Sequence, residues 1–294
     1  MIDLSIIIVS FNTEKITNKC LVNLRRNLKK YPLNYQVVVV DNGSKDGSIP
    51  MLKKIAVDWK NLKVVLSNKN LGFGKGNNLG VTNSKGKYIL YLNSDAIITD
   101  IDFFDLINVF KTKPDLGALT VKVVLSTGEI DPASHRGFPT IWRSFTYFLG
   151  LEKIFKNTFL LNKIFGGYHL VNLNLKEIHE IDVPTGAFLF TRRDIIDKIG
   201  GFDEDYFSYG EDIEMAFQIK KLGYKIIYYP LWQMLHLKSV SGLKKTDQKI
   251  RKKTSFYFYD SMKIFYRKHY AKSHNWLTNK LIYLAVDLKR KLIS

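Results

Sequence analysis

The sequence predicts an α/β fold in which a mostly parallel, Rossmann-like sheet is flanked by helices. Short apolar runs alternate with polar helical segments over the first hundred residues, which is the pattern of successive βαβ units. Some runs, such as the four valines at 37–40, are continuously apolar, as expected of strands buried on both faces. With 294 residues and 46% hydrophobic content, the chain can bury one large core or two closely packed subdomains.

The elements of the first hundred residues follow this alternation. Helices are predicted to begin near residues 14, 49 and 75. The predicted strands are Leu4–Ser10, Gln36–Val40, Leu62–Ser67 and Tyr88–Asn93. Sheets of this kind bind ligands at the carboxyl ends of their strands, so the loops after these four strands are the expected site.

The pattern becomes less regular after about residue 102. The stretch from Gly128 to Ile181 is polar and aromatic without a clear period, and we expect loops and an acceptor site there. A strand is predicted at Ala187–Thr191, followed by a short helix and then by a helix that starts at Glu211. Apolar residues at helical spacing predict that last helix, and Gly223 is expected to end it.

The formal net charge of +18 is concentrated near the C-terminus. Residues 238–294 contain 15 Lys or Arg residues and three Asp residues, a net charge of +12, which leaves +6 for the first 237 residues. Nucleic acid is one partner that such charge can attract, but no nucleic-acid recognition motif accompanies it. We therefore expect no nucleic-acid binding.

The same C-terminal segment contains a leucine stripe at helical spacing, next to Trp276 and several basic residues. The pattern is typical of an interfacial helix on anionic lipid. It is equally typical of a helix packed on the protein body with a solvated basic face. The leucines are Leu277, Leu281, Leu284, Leu288 and Leu292.

The expected compartment is the cytoplasm. Cys20 is the only cysteine, which excludes an intramolecular disulfide and favours a reducing environment. The N-terminus lacks a basic leader and a cleavage site, and no apolar run approaches the roughly 20 residues that span a bilayer. A peripheral position on the inner face of the membrane follows if the C-terminal helix binds lipid.

The loop after the second strand begins with Asp41 and continues as a glycine-rich turn that includes Ser44. A carboxylate at a strand end can accept a hydrogen bond from a nucleobase N–H, and Ser44 is a second candidate contact to a nucleotide. The alternative is a turn in which Asp and Ser only cap the backbone. The residues alone leave both interpretations open.

The loop after the third strand, residues 70–78, is rich in glycine but does not match the dinucleotide fingerprint. The sequence places Asn77 or Leu79 where the third glycine of that motif belongs, which argues against a hydride-transfer enzyme. A glycine-rich loop that opens a helix still suits a diphosphate, with Gly74 permitting close approach and Lys75 supplying charge.

The fourth strand ends at Asn93, Ser94 and Asp95. A carboxylate at this edge can hold Mg²⁺ or Mn²⁺ against substrate phosphates, with Asn93 and Ser94 as neighbouring contacts to the substrate. One carboxylate alone supplies too few ligands for a metal ion. We therefore expect His236, which follows another apolar run, to be a second ligand. The alternatives are a turn-forming Asp and a structural histidine.

Glu211 and Asp212 are adjacent carboxylates at the start of a predicted helix. The unpaired N–H groups and the dipole at this end favour an anionic side chain, so both are expected to be ionised at neutral pH. One of them would serve as a general base. The alternative is simple helix capping, which is a common use of Asp.

Together these motifs resemble those of glycosyltransferase family 2, with its GT-A fold, and within it the rhamnosyltransferase-like members. The resemblance covers most of residues 4–242. The matching segments, in order, are SIIIVSFN, VVVVDNGSKDGS, NLGFGKGNNLG, YILYLNSDA, PTGAFLFTRRDIIDKIGGFDEDYFSYGEDIEMAFQIKKLGY and HLKSVSG.

The resemblance implies a dTDP- or UDP-linked sugar donor, a divalent cation and inversion at the anomeric carbon. It implies that Asp41 contacts the nucleobase, with Phe11 in the base pocket. Asp95 matches the last acid of the family's DxD-like motif, whereas Asn93 replaces the first acid, which places more of the metal binding on His236.

The same resemblance implies that Asp212 is the catalytic base and that Glu211 orients either the acceptor or Asp212. We therefore expect an inverting, metal-dependent glycosyltransferase that moves a hexose or deoxyhexose, such as rhamnose, onto a glycan or lipid-linked acceptor. Cell-surface polysaccharide synthesis is the expected setting. A non-catalytic nucleotide-sugar or glycan-binding module on the same fold is the alternative.

The expected organisation has three parts. Residues 1–100 form the nucleotide-sugar-binding half, and residues 101–242 form the acceptor-binding and catalytic half of the same domain. Residues 243–294 form a basic amphipathic helical segment.

Overall fold

A computed structural model describes residues 2–238 and 248–293. The last residues of the HLKSVSG segment and the expected boundary at residue 242 lie outside these ranges. Within them, the strands are β1 Leu4–Ser10, β2 Tyr35–Asp41, β3 Leu62–Leu66, β4 Tyr88–Leu92, β5 Ala96–Ile97, β6 Leu116–Leu125, β7 His179–Ile181, β8 Phe188–Arg192 and β9 Lys225–His236. The four N-terminal strands and the strand after residue 187 confirm the elements predicted from the apolar runs.

All of these strands join one sheet in the order β3-β2-β1-β4-β8-β6-β9-β5, with β7 beside β9. Pairing is parallel across β3-β2-β1-β4. Beyond β4 the sheet is mixed, because β8 runs antiparallel to both β4 and β6, while β6 and β9 are parallel to each other. Two reversals across β8 mean that β6 and β9 end at the same edge as β1, β2 and β4.

Helices cover both faces of the sheet. The α-helices are α1 Glu14–Leu28, α2 Ser48–Asp58, α3 Phe73–Thr82, α4 Phe103–Thr112, α5 Ile141–Phe148, α6 Leu151–Ile154, α7 Leu161–Phe165, α8 Arg193–Ile199, α9 Glu211–Lys221, α10 Gln248–His269 and α11 Trp276–Ile293. One core packs α1, α2 and α4 against the sheet, and a second core packs α3, α8 and α9 against the other face.

The valine run of β2 explains why both faces are buried. Val37 and Val39 belong to the first core, whereas Val38 and Val40 belong to the second. Successive side chains of a strand point to opposite faces, so a continuous apolar run fits only a strand covered on both sides. The predicted α/β sheet flanked by helices is confirmed, but the sheet is mixed rather than mostly parallel, because β5, β7 and β8 pair antiparallel with their neighbours.

The stretch from residue 128 to 181, expected to be loops, contains three short helices, α5 to α7, and the strand β7. These helices have eight residues or fewer, which is too short for a clear helical period in the sequence. Trp142 on α5 donates from its indole N–H to the carbonyl of Ile164 on α7 at 3.0 Å, which ties the two helices together.

The C-terminal helices α10 and α11 pack on each other, and α10 packs on α9 and on the segment before it. Tyr259, Phe265 and Tyr266 of α10 are buried. The Tyr266 hydroxyl donates to Asn279 of α11 at 2.6 Å. No helix within residues 2–238 and 248–293 combines the length and apolar character needed to cross a membrane.

Candidate active site

The carboxyl edge of the sheet brings the predicted site residues together. Asp41 ends β2, and Phe11 directly follows β1. Asp95 lies just beyond β4, and His236 is the last residue of β9. Parallel strands place their carboxyl ends at one edge, so the topology, rather than any sequence spacing, puts these residues at a common edge of the sheet.

Asp41 is fully buried, and only one of its two carboxylate oxygens has a hydrogen-bond partner. Its Oδ1 accepts from the backbone N–H of Ser44 at 2.9 Å, whereas its Oδ2 is buried without a hydrogen-bond partner in the structure. The hydroxyl of Ser44 accepts from the N–H of Asn12 at 2.9 Å, which fixes the turn that carries the exposed Phe11. A buried acceptor without a donor is unusual and is the arrangement that a nucleobase N–H would complete.

The glycine-rich loop packs closely against the segment before α9. Gly72 has φ of +86°, and a Cβ there would lie 2.3 Å from the carbonyl oxygen of Phe207. A Cβ on Gly74 would lie 3.1 Å from the Cβ of Phe202. Close packing therefore accounts for these glycines, and Lys75 pairs with Glu204 at 2.8 Å on the surface. Their expected contact to a diphosphate stays a prediction.

Asp95 and His236 face each other, and Asp131 stands behind the histidine. His236 Nε2 lies 3.2 Å from Asp95 Oδ1, and its Nδ1 lies 3.2 Å from Asp131 Oδ2. Asp131 is fully buried and also accepts from Lys238 at 2.8 Å. Burial opposes ionisation of Asp131, but donation from His236 and the charge of Lys238 hold its pKa well below the usual range.

This arrangement fixes the orientation of the imidazole. Because Asp131 is an anion that can only accept, Nδ1 of His236 must donate to it, which turns Nε2 toward Asp95. Burial disfavours the imidazolium, yet the hydrogen bonds to Asp131 and Asp95 outweigh it and raise the pKa of His236 to about 9. The imidazole must therefore release a proton before it can ligate a cation.

The donor atoms at this edge fit a hard divalent cation. Asp95 Oδ2 and Asn93 Oδ1 are both buried and lack a hydrogen-bond partner in the structure. Oxygen donors of this kind suit Mg²⁺ or Mn²⁺. Within the described residues, no group of three or more His, Cys, Asp or Glu side chains could hold a metal ion. Phosphate and water oxygens would have to complete the coordination.

Asp212 is held in a buried ion pair with Arg136. The Arg136 Nη2 donates to Asp212 Oδ2 at 2.6 Å, and the two side chains are 11% and 15% exposed. Burial disfavours the charge on Arg136, but Asp212 and Tyr168 outweigh that cost and raise the pKa of the guanidinium. The N–H of Gly186, next to β8, also donates to Asp212 Oδ2 at 3.2 Å.

Gly186 links Asp212 to the sheet edge that carries Asn93 and Asp95. Its neighbour Ala187 accepts, through its carbonyl, from the N–H of Asn93 at 3.1 Å. Asp212 therefore lies beside the start of β8, and Asn93 and Asp95 lie beside the end of β4, which pairs with β8. The antiparallel strand joins the two halves of the site.

The expectation that both adjacent carboxylates are ionised is wrong for Glu211. Its Oε2 is buried without a hydrogen-bond partner. Burial first, and the neighbouring charge of Asp212 second, raise the pKa of Glu211 to about 8. Dehydration of the side chain outweighs the favourable helix dipole, so Glu211 is protonated at neutral pH.

Neither carboxylate occupies the N-cap position of α9, although Asp212 Oδ1 accepts from the Ile213 N–H of the first turn at 2.8 Å. The N-cap residue is Gly210, and no side-chain hydrogen bond caps the helix. Tyr209 has φ of +69°, which is uncommon for a residue with a side chain. Helix α10 supports this segment, because Tyr257 stacks on Phe207 with ring centroids 4.6 Å apart. Capping therefore does not explain the pair.

The sequence reasoning missed Arg136 and Asp131 as parts of the site. Arg136 belongs to the stretch expected to hold loops and an acceptor site, but no role was assigned to it, and it lies 76 positions from its partner Asp212. Asp131 lies 105 positions from His236. No local motif relates such distant residues, and only their place at the strand edge does so.

The carboxyl edge of this α/β sheet thus carries a buried acid with an unpaired oxygen, side chains that suit a divalent cation, and a carboxylate paired with an arginine. These are the features expected of a nucleotide-sugar transferase. Comparison with known proteins agrees. The model of the family described as Glycosyl transferase family 2 matches residues 5–200. The chain belongs to this family and is a glycosyltransferase.

Two curated relatives are rhamnosyltransferases. The chain is 27% identical over 241 residues to rhamnosyltransferase WbbL of Escherichia coli K12, an alignment that covers 79% of this chain and 82% of that protein. It is 26% identical over 217 residues to N-acetylglucosaminyl-diphospho-decaprenol L-rhamnosyltransferase of Mycobacterium tuberculosis, which covers 70% of this chain and 67% of that protein.

Solved structures confirm the GT-A fold. The mannosyltransferase PcManGT of Pyrobaculum calidifontis, in complex with GDP-Man and Mn²⁺, matches with a TM-score of 0.57 and 17% identity, over 90% of this chain and 63% of its own. GalNAc-T7 with UDP, GalNAc and Mn²⁺ matches with a TM-score of 0.60 and 12% identity, over 98% of this chain and 55% of its own. This chain thus spans less than two thirds of either solved chain.

Proposed function

We propose that the chain is an inverting, metal-dependent glycosyltransferase. It moves a hexose or deoxyhexose, either rhamnose from a dTDP-linked donor or a sugar from a UDP-linked donor, onto a glycan or lipid-linked acceptor. Cell-surface polysaccharide synthesis at the cytoplasmic face of the membrane is the proposed setting. The two rhamnosyltransferase relatives support the sugar, and the mycobacterial relative's name includes a diphospho-decaprenol, which supports a lipid-linked acceptor.

The observation that carries this proposal is the state of the Asp212 carboxylate. A carboxylate offers about four acceptor positions. Three are used, by Arg136 and the Gly186 N–H on Oδ2 and by the Ile213 N–H on Oδ1. With 15% of the side chain exposed, one position remains open to a sugar hydroxyl.

Transfer then needs one proton acceptor and no covalent intermediate. The acceptor oxygen forms a bond to the anomeric carbon as the bond from that carbon to the diphosphate oxygen breaks. Asp212 takes the hydroxyl proton, and the electron pair of the broken bond leaves with the nucleoside diphosphate. Attack from the face opposite the leaving group inverts the configuration.

Arg136 orients the proposed base, Asp212, in this scheme. Pairing with Asp212 raises the pKa of the guanidinium, so Arg136 stays charged and holds the Asp212 carboxylate in one orientation before the acceptor arrives. Its Nη2 also donates to the carbonyl of Pro184 at 2.9 Å, and its Nε to that of Ala133 at 3.0 Å. These two hydrogen bonds fix the guanidinium to the backbone, so it keeps its position when the proton moves to Asp212.

At the donor end, Asp41 Oδ2 would accept from the nucleobase, and Phe11 and Ser44 would line the pocket. Asp95, His236 and the side-chain amide oxygen Oδ1 of Asn93 would hold Mg²⁺ or Mn²⁺. When bound, the cation neutralises charge that develops on the departing diphosphate.

The direct test is transfer by Asp212→Asn compared with the wild-type enzyme across a panel of dTDP, UDP and GDP sugars. We expect the variant to bind the donor normally and to lose about 10³-fold or more in kcat, as when a general base and its charge are removed. Transfer by this variant at the wild-type rate would contradict the base assignment. Proton NMR of the product distinguishes inversion from retention.

The metal requirement needs its own measurement. Chelation with EDTA should abolish transfer, and Mg²⁺ or Mn²⁺ should restore it. Full activity in EDTA would contradict the metal role while leaving the base assignment intact.

We also propose that α11 contacts anionic lipid. Its five stripe leucines are each more than half exposed, while Asn279, Tyr283 and Asp287 make the contacts to α10. The apolar face is thus unoccupied by the protein body, which is the arrangement of an interfacial helix. Leu281→Ser together with Leu288→Ser should reduce co-sedimentation with anionic vesicles, and unchanged binding would contradict this role.

A further inference from the structure

The second concentration of exposed apolar side chains lies in residues 141–165, here called the helical insert, which contains α5, α6 and α7. Of the 24 large hydrophobic side chains that are exposed within the described residues, nine belong to the insert and six to α11. Phe159 and Leu160 are 78% and 67% exposed. Such density on a surface indicates a contact that the chain itself does not supply.

Contacts among its own helices hold the insert together, so its outward face has a defined structure. Phe155 and Phe165 stack with ring centroids 5.0 Å apart, and Trp142 donates to the carbonyl of Ile164. Its one acid, Glu152, is buried and accepts from the backbone N–H groups of Tyr168 and His169 and from the ring of His169 at 2.8–3.0 Å. The acid is therefore withheld from the surface.

The exposed charges of the insert are all positive. They belong to Lys153, Lys156 and Lys163, since Arg143 pairs with Asp182. Lys163 lies over the ring of Phe159 at 4.9 Å, so a charged group and an apolar ring are presented side by side. This pairing suits a headgroup layer, where aliphatic and aromatic groups enter and ammonium groups meet phosphates.

Charge also decides between a lipid surface and a second copy of the chain. A symmetric dimer would bring the three lysines of one insert against those of the other, which is unfavourable. An anionic lipid surface complements them. Trp142, at the start of α5, has the amphipathic ring that is enriched at membrane interfaces.

The insert is continuous with α11 on one side and with the active site on the other. The Lys289 ammonium of α11 lies 5.7 Å from the ring centroid of Phe148 in α5. Tyr147 of α5 packs on Tyr168 with centroids 5.1 Å apart, and Tyr168 interacts electrostatically with Arg136, the partner of Asp212.

We propose that the helical insert is a second lipid-binding element that enters the headgroup region of an anionic membrane beside the acceptor site. This inference rests on the proposed function and extends it, because a membrane-bound insert would present a lipid-linked acceptor to Asp212. It is separate from α11, because its exposed side chains and charges belong to a different part of the chain.

Tryptophan fluorescence tests the two elements separately in the full chain. Trp142 and Trp276 are exposed, whereas Trp59 is buried and Trp232 is partly buried. With vesicles of phosphatidylcholine and brominated phosphatidylglycerol, Trp276→Phe leaves Trp142 as the exposed reporter, and its fluorescence should be quenched. In the Trp142→Phe variant, Trp276 is the remaining exposed tryptophan. Fluorescence quenching in that variant but not in Trp276→Phe would overturn the proposal.

Vesicle affinity provides the second readout. Phe159→Ser together with Leu160→Ser should weaken binding to these vesicles about tenfold or more, because two exposed apolar side chains are lost. Val57→Ser, which changes an 81% exposed residue on α2, is the matched control and should bind normally. Unchanged affinity of the double variant would overturn the proposal.

Two further outcomes are distinguishable. A dimer seen by light scattering that the double variant dissolves, with no Trp142 quenching, would show that the insert is a protein interface and would overturn lipid binding. Transfer to a short water-soluble acceptor should be unchanged in the double variant. If wild type shows no such transfer from any nucleotide sugar, the proposed function fails while the quenching result still decides the role of the insert.

Discussion

The protonated state of Glu211 leads to a sharp prediction about stability and pH. The pKa of this side chain is about 8 in the folded chain and 4.5 as an ordinary glutamate. Between these values the folded state holds a proton that the unfolded state has released. Stability conferred by that proton is complete at low pH and falls as pH rises toward 8.

The magnitude follows from the two values. The free energy of unfolding should fall by about 1.4 kcal/mol for each pH unit across this window, which is about 2–3 kcal/mol between pH 5 and pH 7. Glu211→Gln removes the titrating group. The stability of the variant relative to wild type should therefore rise by this amount over the same interval, whatever the constant cost of burying the amide.

Urea unfolding at pH 5, 6, 7 and 8, followed by circular dichroism, measures this difference. Glu129→Gln, which changes an exposed acid, is the control and should leave the pH profile unchanged. Parallel profiles for wild type and Glu211→Gln would refute the burial argument. Because a neutral amide replaces a neutral acid, transfer by Glu211→Gln at pH 7 should also stay within about tenfold of wild type, in contrast to Asp212→Asn.

Three other predictions concern the supporting residues. Asp131→Asn should weaken Mn²⁺ affinity in the presence of nucleotide by about 10–100-fold by isothermal titration calorimetry, since the orienting anion behind the histidine is lost; unchanged affinity would contradict that role. Gly72→Ala should lower the melting temperature more than Gly128→Ala, because both have positive φ but only Gly72 faces backbone at 2.3 Å; equal losses would mean that the loop yields. Arg136→Met should destabilise the fold by about 3–5 kcal/mol, since it strands a buried carboxylate, and a melting curve like that of wild type would show that the pair is dispensable.

The sequence by itself determined the class of fold and the edge of the sheet to which the candidate site residues belong. Continuous apolar runs such as that of β2 require burial on both faces, so they specify a covered parallel sheet without knowledge of any contact. The polar residues that follow those runs, Asp41 and Asp95 among them, could be assigned to one edge because parallel strands share their carboxyl ends. Local pattern is enough for such conclusions, since period and strand order are encoded within a few tens of residues.

Protonation and long-range pairing could not be read in this way. The sequence shows two acids at a helix start, and the dipole argument ionises both of them. The structure buries Glu211 against the glycine loop, with its Cβ 3.8 Å from the position of a Cβ on Gly74, and pairs Asp212 with Arg136. Burial and partners, which depend on distant segments, separate the two roles.

The same reason applies to the metal edge and to the surface. His236 could be chosen from its place after an apolar run, but Asp131 behind it belongs to a turn after β6 that reaches the edge only because the sheet reverses twice across β8. The outward face of the helical insert is likewise set by how three short helices stack. Sequence specified what each segment can bury, and tertiary structure decided which charges and apolar faces meet, because those energies depend on distance in space and not on spacing along the chain.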